Sequence, residues 1–189
     1  MRGRKIQIEE LTKKEQGYLF GLFEGDGYKI YDKKSRHYQI DFYLNSEKDK
    51  KIIEFLVGLL KKIRLNPNLY QDKRCNCKRI RVYSKELFNI ISKDINLIKR
   101  SKDFKLGYVS GMIDSEGHVN KKKSYIMIVS TDEKTLNKCS EILSEIKVSS
   151  NISKRVLSKK DKLFSYRMYV SVNFKNKAHL SIKTNRLQS

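Results

Sequence analysis

Apolar residues along this 189-residue chain change their spacing repeatedly, and each change marks a switch between helix and strand. Recurrence every three or four residues predicts an apolar helix over about 11–25 and an amphipathic helix from Glu47 to Arg64, which Pro67 closes. Alternation of apolar and polar residues predicts strands around these helices. The strands are expected at about 28–32, 37–44, 68–72 and 78–84, with a further helix on Leu87, Ile90, Ile91 and Ile95.

The second half of the chain follows the same order. Its amphipathic helix is expected from Asp132 to Lys147, whereas the final helix has only Phe174 to Leu187 available, where the apolar pattern is poor. The architecture is therefore predicted to be α+β, with two αββαββα units that we divide into residues 1–100 and 101–189. The strands of the second unit are expected at about 118–121, 124–130, 151–157 and 163–170.

An internal repeat supports this division. Residues 17–27 read GYLFGLFEGDG and residues 107–117 read GYVSGMIDSEG, which match in small, apolar and acidic character at an offset of 90 residues. Later correspondences drift by a few residues, as loops of different length require. The strand beginning at Tyr38 is expected to match the one beginning at Tyr125, and Arg81 is expected to match Met168.

Small residues recur at every fourth position in both copies of the repeat. They are Gly17, Gly21 and Gly25 in the first copy and Gly107, Gly111 and Ser115 in the second. Each glycine inside a helix costs about 0.5–1 kcal/mol relative to alanine, so another interaction has to offset that cost. The pattern predicts that the two helices pack closely on each other about a pseudo-two-fold axis.

An acidic residue follows each row of small residues, Asp26 in the first copy and Glu116 in the second. If the helices pack along these rows, the two carboxylates lie close together at helix C-termini, where the helix dipole and mutual repulsion both disfavour them. A bound divalent cation would relieve both effects. Mg²⁺, or Mn²⁺ in its place, suits carboxylate and backbone carbonyl oxygens together with the phosphate oxygens of a substrate.

The charge balance predicts a polyanionic partner, because 42 Lys and Arg residues against 21 Asp and Glu residues give a net charge of +21. Nucleic acid is favoured over an anionic membrane surface, since the basic residues occur in every stretch of the chain instead of in one tail or helix. A charged thermophile surface would balance Lys with Glu, which this chain does not do.

Three further features bear on the cellular setting. The longest apolar stretch, Phe55 to Leu60, is far shorter than the roughly 20 residues that cross a bilayer, and the N-terminal residues lack a signal-peptide pattern. The odd number of cysteines, Cys75, Cys77 and Cys139, favours free thiols over disulfides or a zinc site. We therefore expect a soluble monomer of the cytoplasm, or of an organelle matrix in a eukaryote.

The nonapeptides LFGLFEGDG at 19–27 and VSGMIDSEG at 109–117 resemble the two motifs of single-chain LAGLIDADG homing endonucleases and of the related intron maturases. The resemblance implies that each unit lays a curved antiparallel sheet into the DNA major groove, and that divalent metals assist hydrolysis of one phosphodiester in each strand. It also implies the metal-binding residues, which are the catalytic acids Asp26 and Glu116 and the backbone carbonyls of Gly25 and Ser115.

Other positions are assigned by the same resemblance. The first acid of each motif, Glu24 or Asp114, is expected to be structural. Family members often carry a Lys or Gln near the end of the second strand or just before the second motif to assist the reaction. Here Asn45 could orient a water molecule, and Lys99 or Lys102 could supply charge; the sequence does not choose between them.

Strand alternation indicates which face of each sheet reads DNA. Between Lys78 and Tyr83, Ile80 and Val82 point to one side and the arginines to the other. Arg, Gln and Asp are side chains that pair with base edges in the major groove. The residues expected on the DNA-binding faces are Arg36 or His37, Gln39, Asp41, Tyr43, Arg79, Arg81, Tyr83, Ser165, Arg167 and Tyr169.

Two functions fit this sequence. The first is a metal-dependent, site-specific double-strand DNA endonuclease encoded by a mobile element. The second is a non-catalytic nucleic-acid-binding protein on the same scaffold, such as an intron maturase that binds RNA, or a regulator. The acid pair favours the first, because binding alone does not need two crowded carboxylates. The three histidines, His37, His118 and His179, have no spacing that suggests a catalytic triad.

Overall fold

The computed structural model describes residues 5–72, 76–93, 97–120, 122, 125–155, 164–176 and 180–185. Within them the predicted order occurs twice and forms an α+β fold. The first unit contains α1 (Lys13–Asp26), β1 (Gly27–Asp32), β2 (His37–Asn45), α2 (Lys50–Lys62), β3 (Asn68–Asp72), β4 (Cys77–Tyr83) and α3 (Lys85–Ser92). The second contains α4 (Lys102–Glu116), β5 (Gly117–Asn120), β6 (Tyr125–Ser130), α5 (Glu133–Glu145), β7 (Ser150–Lys154), β8 (Tyr166–Val170) and α6 (Ile182–Asn185).

Each unit has a four-stranded antiparallel sheet whose strands share one pattern. The strand orders are β1-β2-β4-β3 and β5-β6-β8-β7, so β2 and β4 lie in the centre of the first sheet and β6 and β8 in the centre of the second. Side chains at alternate positions of the central strands, such as Ile40, Phe42 and Ile80, are completely buried. They pack with the apolar faces of the helices, because both the strands and the helices are amphipathic.

The two motif helices α1 and α4 begin at side-chain caps. The hydroxyl of Thr12 accepts a hydrogen bond from the backbone NH of Glu15, whose carboxylate accepts one in return from the NH of Thr12. The hydroxyl of Ser101 accepts a hydrogen bond from the NH of Phe104. Both helices then run without interruption to their acidic residue, where Gly27 or Gly117 starts the first strand of the unit.

Backbone contact between α1 and α4 confirms the packing predicted from the small residues. A Cβ atom added to Gly21 would overlap the carbonyl oxygen of Tyr108, and one added to Gly111 would overlap the carbonyl oxygen of Tyr18. These pairs are equivalent, since both members differ by the 90-residue offset of the repeat. Only glycine leaves room for the opposite backbone here, so the two rows hold the units together about a pseudo-two-fold axis.

Some predicted boundaries are wrong. The helix expected from Glu47 begins at Lys50, because the side-chain oxygen of Asn45 accepts hydrogen bonds from the NH groups of Glu47 and Lys48 and so forms a turn. The final helix expected over 174–187 is replaced by a 3-10 segment at Val172–Asn176 and by the four-residue α6. The predicted positions that lie outside the described residues are Cys75, Ile95, 121, 124, 156–157, 163, 177–179, which include His179, and 186–187.

Strand pairing also corrects the expected correspondence between the two sheets by one position. Gly27 pairs with Phe42 and Gly117 pairs with Ile128, so Phe42 corresponds to Ile128, and Tyr125 does not correspond to Tyr38. On the next strand, Phe42 pairs with Ile80 and Ile128 with Met168. A shift of one residue exchanges the faces of a strand. The true equivalents are therefore Arg79 with Arg167 and Arg81 with Tyr169.

No helix within the described ranges is both long and apolar enough to span a bilayer. Cys139 is a buried thiol on α5.

Gly21→Ala tests the helix contact against helix propensity. Alanine is the better helix former by about 1 kcal/mol, yet its Cβ would meet the carbonyl of Tyr108, so we expect a net loss of several kcal/mol in the free energy of unfolding. The control is Gly58→Ala on α2, where a Cβ meets nothing within 4 Å; it should raise stability by about 0.5–1 kcal/mol. Urea denaturation measures both. Equal stabilisation by both changes would contradict close packing at Gly21.

Candidate metal centre and nucleic-acid interface

Asp26 and Glu116 lie together at the C-termini of α1 and α4, as the packing of the helices requires. Desolvation, followed by the negative charge of Glu116, raises the pKa of Asp26 to about 7. Desolvation also raises the pKa of Glu116. Both shifts mean that the site disfavours two carboxylates in the absence of a cation.

The first acid of the second motif, Asp114, is completely buried and accepts four hydrogen bonds. Its donors are the hydroxyl of Tyr18 on α1, the hydroxyl of Ser181 and the backbone NH groups of Ile182 and Lys183, each at 2.8 Å. Burial raises the pKa of Asp114, although these donors act in the opposite direction. The carboxylate thereby joins α1, α4 and α6.

The first acid of the first motif has a different environment. Glu24 is exposed, and its carboxylate accepts a hydrogen bond from the hydroxyl of Thr135 on α5 at 3.3 Å. The carboxylate of Asp114 therefore has the structural role expected for the first acids. Within the described ranges, the carboxylate of Glu24 accepts a hydrogen bond from one side chain only.

Lys183 is a residue of this centre that the sequence did not reveal. Its ammonium donates to the carbonyl oxygens of Ser115 at 2.9 Å and Gly117 at 3.1 Å. Its positive charge lowers the pKa of Asp26 and Glu116, which desolvation raises more strongly. No spacing signal could have indicated it, because it lies on a four-residue helix outside the repeat motif.

The accessory residues expected from the resemblance lie elsewhere. Lys102 is the first residue of α4, 14 positions before Glu116, which places it about 21 Å away along the helix axis. Lys99 precedes it and is also exposed. Asn45 uses its side-chain oxygen in the turn before α2. Lys183, in contrast, donates to backbone carbonyls on both sides of Glu116.

Several residues expected to read DNA meet on the face of the first sheet that is remote from the helices. The guanidinium of Arg81 donates two hydrogen bonds of 2.8 Å to the carboxylate of Asp41, which raises the pKa of Arg81. Gln39 and Tyr43 also donate to Asp41, at 2.8 and 3.4 Å. Asp41 is only 1% exposed, so it positions Arg81 instead of presenting its own oxygens to a ligand.

The rest of this face combines arginine with exposed aromatic rings. Arg79 lies over the ring of Tyr70, and its buried Nε has no hydrogen-bond partner among the residues that the structure describes. Tyr83 is 47% exposed beside His37, and Arg36 lies at the tip of the β1–β2 hairpin. An exposed patch of this kind is typical of an interaction surface.

The second sheet carries fewer of the expected residues. Arg167 is half-buried and Tyr169 is 37% exposed, with its ring packed edge to face on Tyr125. Ser165 precedes β8 and lies in a cleft of ≈ 380 Å³ that is also lined by Glu116. Ser165 therefore shares a cleft with one of the two acids.

The donors at the acid pair fit a hard divalent cation, because carboxylate and carbonyl oxygens are the ligands that Mg²⁺ prefers. The described ranges contain no group of three or more His, Cys, Asp or Glu side chains that could enclose a metal. A cation here would thus depend on two carboxylates, backbone carbonyls and oxygens from water or substrate.

Asp114→Asn should destabilise the protein, because an amide presents one acceptor where four donors converge. Leaving buried donors unsatisfied costs about 1–3 kcal/mol, measurable by urea denaturation. The matched control is Glu24→Gln, the equivalent acid at an exposed position, which should change stability by less than about 0.5 kcal/mol. Equal effects of the two changes would contradict a structural role for Asp114.

Comparisons with known proteins agree with this geometry. A family model described as a LAGLIDADG-like domain matches residues 13–96 and again residues 103–183. A structure of I-DmoI in complex with DNA and Ca has a TM-score of 0.69 at 19% identity, covering 93% of this chain and 97% of that one. A structure of mesophilic variants of the homing endonuclease I-DmoI has a TM-score of 0.64 at 21% identity, covering 94% of this chain and 97% of that one.

A second kind of protein has a similar structure. Full-length DUF199/WhiA from Thermatoga maritima has a TM-score of 0.62 at 16% identity, covering 98% of this chain and 65% of that one. A comparison with curated proteins finds no match. At these identities the structural likeness establishes the fold, whereas the family model covers most of the chain in two copies. The chain therefore belongs to the family of proteins built from LAGLIDADG-like domains.

Proposed function

We propose that this protein is a divalent-metal-dependent, site-specific DNA endonuclease that cleaves both strands of its target, encoded by a mobile element and acting as a monomer in the cytoplasm or an organelle matrix. The observation that carries the proposal is the acid pair. Asp26 and Glu116 are crowded at two helix C-termini with raised pKa values, which is unfavourable for folding and makes sense in a site that binds cations.

The two acids would hold the metal with the backbone carbonyls of Gly25 and Ser115. A divalent cation supplies positive charge that stabilises the attacking and leaving oxygens in phosphodiester hydrolysis. The protein's own contribution is positional. The glycine contacts fix the ends of α1 and α4, and thus hold one carboxylate for each strand of a bound duplex.

The sheet faces supply the groups for sequence recognition. Arg81, oriented by Asp41, can direct its remaining NH groups to a guanine. With a net charge of +21, log affinity for DNA should fall by about 0.9 per phosphate contact for each unit of log salt.

Structural relatives support both parts of the proposal. I-DmoI, described as a homing endonuclease, has been solved in complex with DNA and Ca and in complex with DNA and Mn. The fold alone does not decide function, so cleavage by this chain would depend on Asp26 and Glu116.

A second candidate is a non-catalytic nucleic-acid-binding protein, either a regulator or an RNA-binding maturase. One observation favours it. Lys183 donates to the carbonyl of Ser115, which is one of the oxygens that the metal would use. Cleavage assays separate the two candidates, because both functions require binding to nucleic acid and only the endonuclease breaks DNA strands.

Asp26→Asn and Glu116→Gln should each abolish or severely reduce cleavage while DNA binding is retained or becomes tighter. The amides keep nearly the same shape but remove negative charge, which weakens cation binding and relieves repulsion from DNA phosphates. A target selected from randomised duplexes provides the substrate. Gel shifts in Ca²⁺ report binding, and gel assays in Mg²⁺ report cleavage.

The matched control is Asp103→Asn, an exposed acid in the first turn of α4, which should cleave normally. Wild-type cleavage by both site variants would remove the acids from the metal centre and refute the endonuclease mechanism. Loss of binding together with loss of stability would instead mean that the acids are structural.

Arg81→Ala and Arg167→Ala should relax base preference at separate positions, one in each half-site. A bidentate arginine–guanine contact discriminates by about 1–3 kcal/mol. Selection from randomised DNA gives the consensus for each variant, and Lys61→Met, an exposed change on α2, should keep the parental consensus. If both arginine variants also keep it at every position, the assignment of the reading faces is wrong.

A further inference from the structure

The ammonium of Lys183 lies where two carbonyl oxygens flank Glu116. It donates to the oxygen of Ser115 on one side and to that of Gly117 on the other. The same charge acts on the carboxylates of Asp26 and Glu116. Lys183 therefore already provides positive charge at a site whose two acids repel each other.

This position is built into the fold. The backbone NH groups of Ile182 and Lys183 donate to Asp114, and Ser181 donates to the same carboxylate. Asp114 also accepts from Tyr18 of the other motif helix. The half-buried Lys183 side chain thus extends from an anchored backbone, so its direction does not depend on any ligand.

The described residues of the first unit show no equivalent arrangement. Lys93, which follows α3 at the end of that unit, is exposed. Within the described ranges, no side chain donates to the carbonyl of Gly25, the counterpart of Ser115. The two carbonyl oxygens near the acid pair are therefore unequal, since one carries an ammonium and the other does not.

We propose that Lys183 is a resident counter-ion of the acid pair, which neutralises part of the charge of Asp26 and Glu116 and competes with a divalent cation for the carbonyl of Ser115. Lys183 would thus weaken the contribution of the Ser115 carbonyl to holding a divalent cation, while the Gly25 carbonyl would not be affected in this way. The competition rests on the proposed metal site, whereas the counter-ion role concerns the protein without metal.

The test uses Lys183→Met and Lys183→Gln in the full-length protein. Glutamine can still donate to the carbonyl of Ser115 but has no charge, so it isolates the electrostatic effect and is the milder change. In EDTA, both variants should lower Tm, and should lower it less in an Asp26→Asn, Glu116→Gln background, where no carboxylates need neutralising. In calorimetric titrations with Ca²⁺ and without DNA, Lys183→Met should bind Ca²⁺ about tenfold more tightly than wild type, and Lys183→Gln should gain less, because its amide can still occupy the carbonyl of Ser115.

Lys61→Met, an exposed lysine change on α2, is the control and should alter neither measurement. An equal fall in Tm in both backgrounds would overturn the counter-ion role. Unchanged or weaker Ca²⁺ binding by the Lys183 variants would overturn the competition. Failure of the wild type and every variant to bind Ca²⁺ would overturn the competition and the proposed metal site together, while the Tm comparison would still decide the counter-ion role.

Discussion

Contact between the backbones of α1 and α4 is the constraint on which the rest of the structure depends. Where Gly21 faces Tyr108 and Gly111 faces Tyr18, the opposite carbonyl fills the space that a side chain would take. Such a contact lets neither helix slide along the other without steric overlap. Because β1 and β5 start directly after these helices, the same contact also determines where the two sheets lie.

The electrostatics of the centre follow from that packing. Bringing two helix C-termini together also brings their acidic residues together, in a place where the dipoles and the neighbouring carboxylate oppose ionisation. The fold tolerates this local cost because the interface and both cores are extensively buried. A bound cation would offset this cost, which is the physical reason for the metal site proposed above.

The two units are symmetric in their motif helices and differ around them. Asp114 is enclosed by four donors, whereas its counterpart Glu24 is exposed. The difference arises because the second unit ends in a short segment that folds back onto α4 and carries Lys183 with it. On the sheets, Arg79 and Arg167 are equivalent, but Arg81 corresponds to Tyr169. The two sheets therefore present different surfaces.

The repeat, the order of the elements, the helix contact and the acid pair could all be predicted from the amino-acid sequence, because they depend on periodicity and on small residues four positions apart, which are local and regular. The predicted correspondence between the strands of the two sheets was wrong by one residue, since strand register depends on pairing between distant segments. Two contacts could not be predicted and emerge from the folded chain: Asp41 orients Arg81, and Lys183 reaches the carbonyl of Ser115. Those contacts join residues 40 and 68 positions apart, a separation at which periodicity carries no information and packing alone determines which side chains meet.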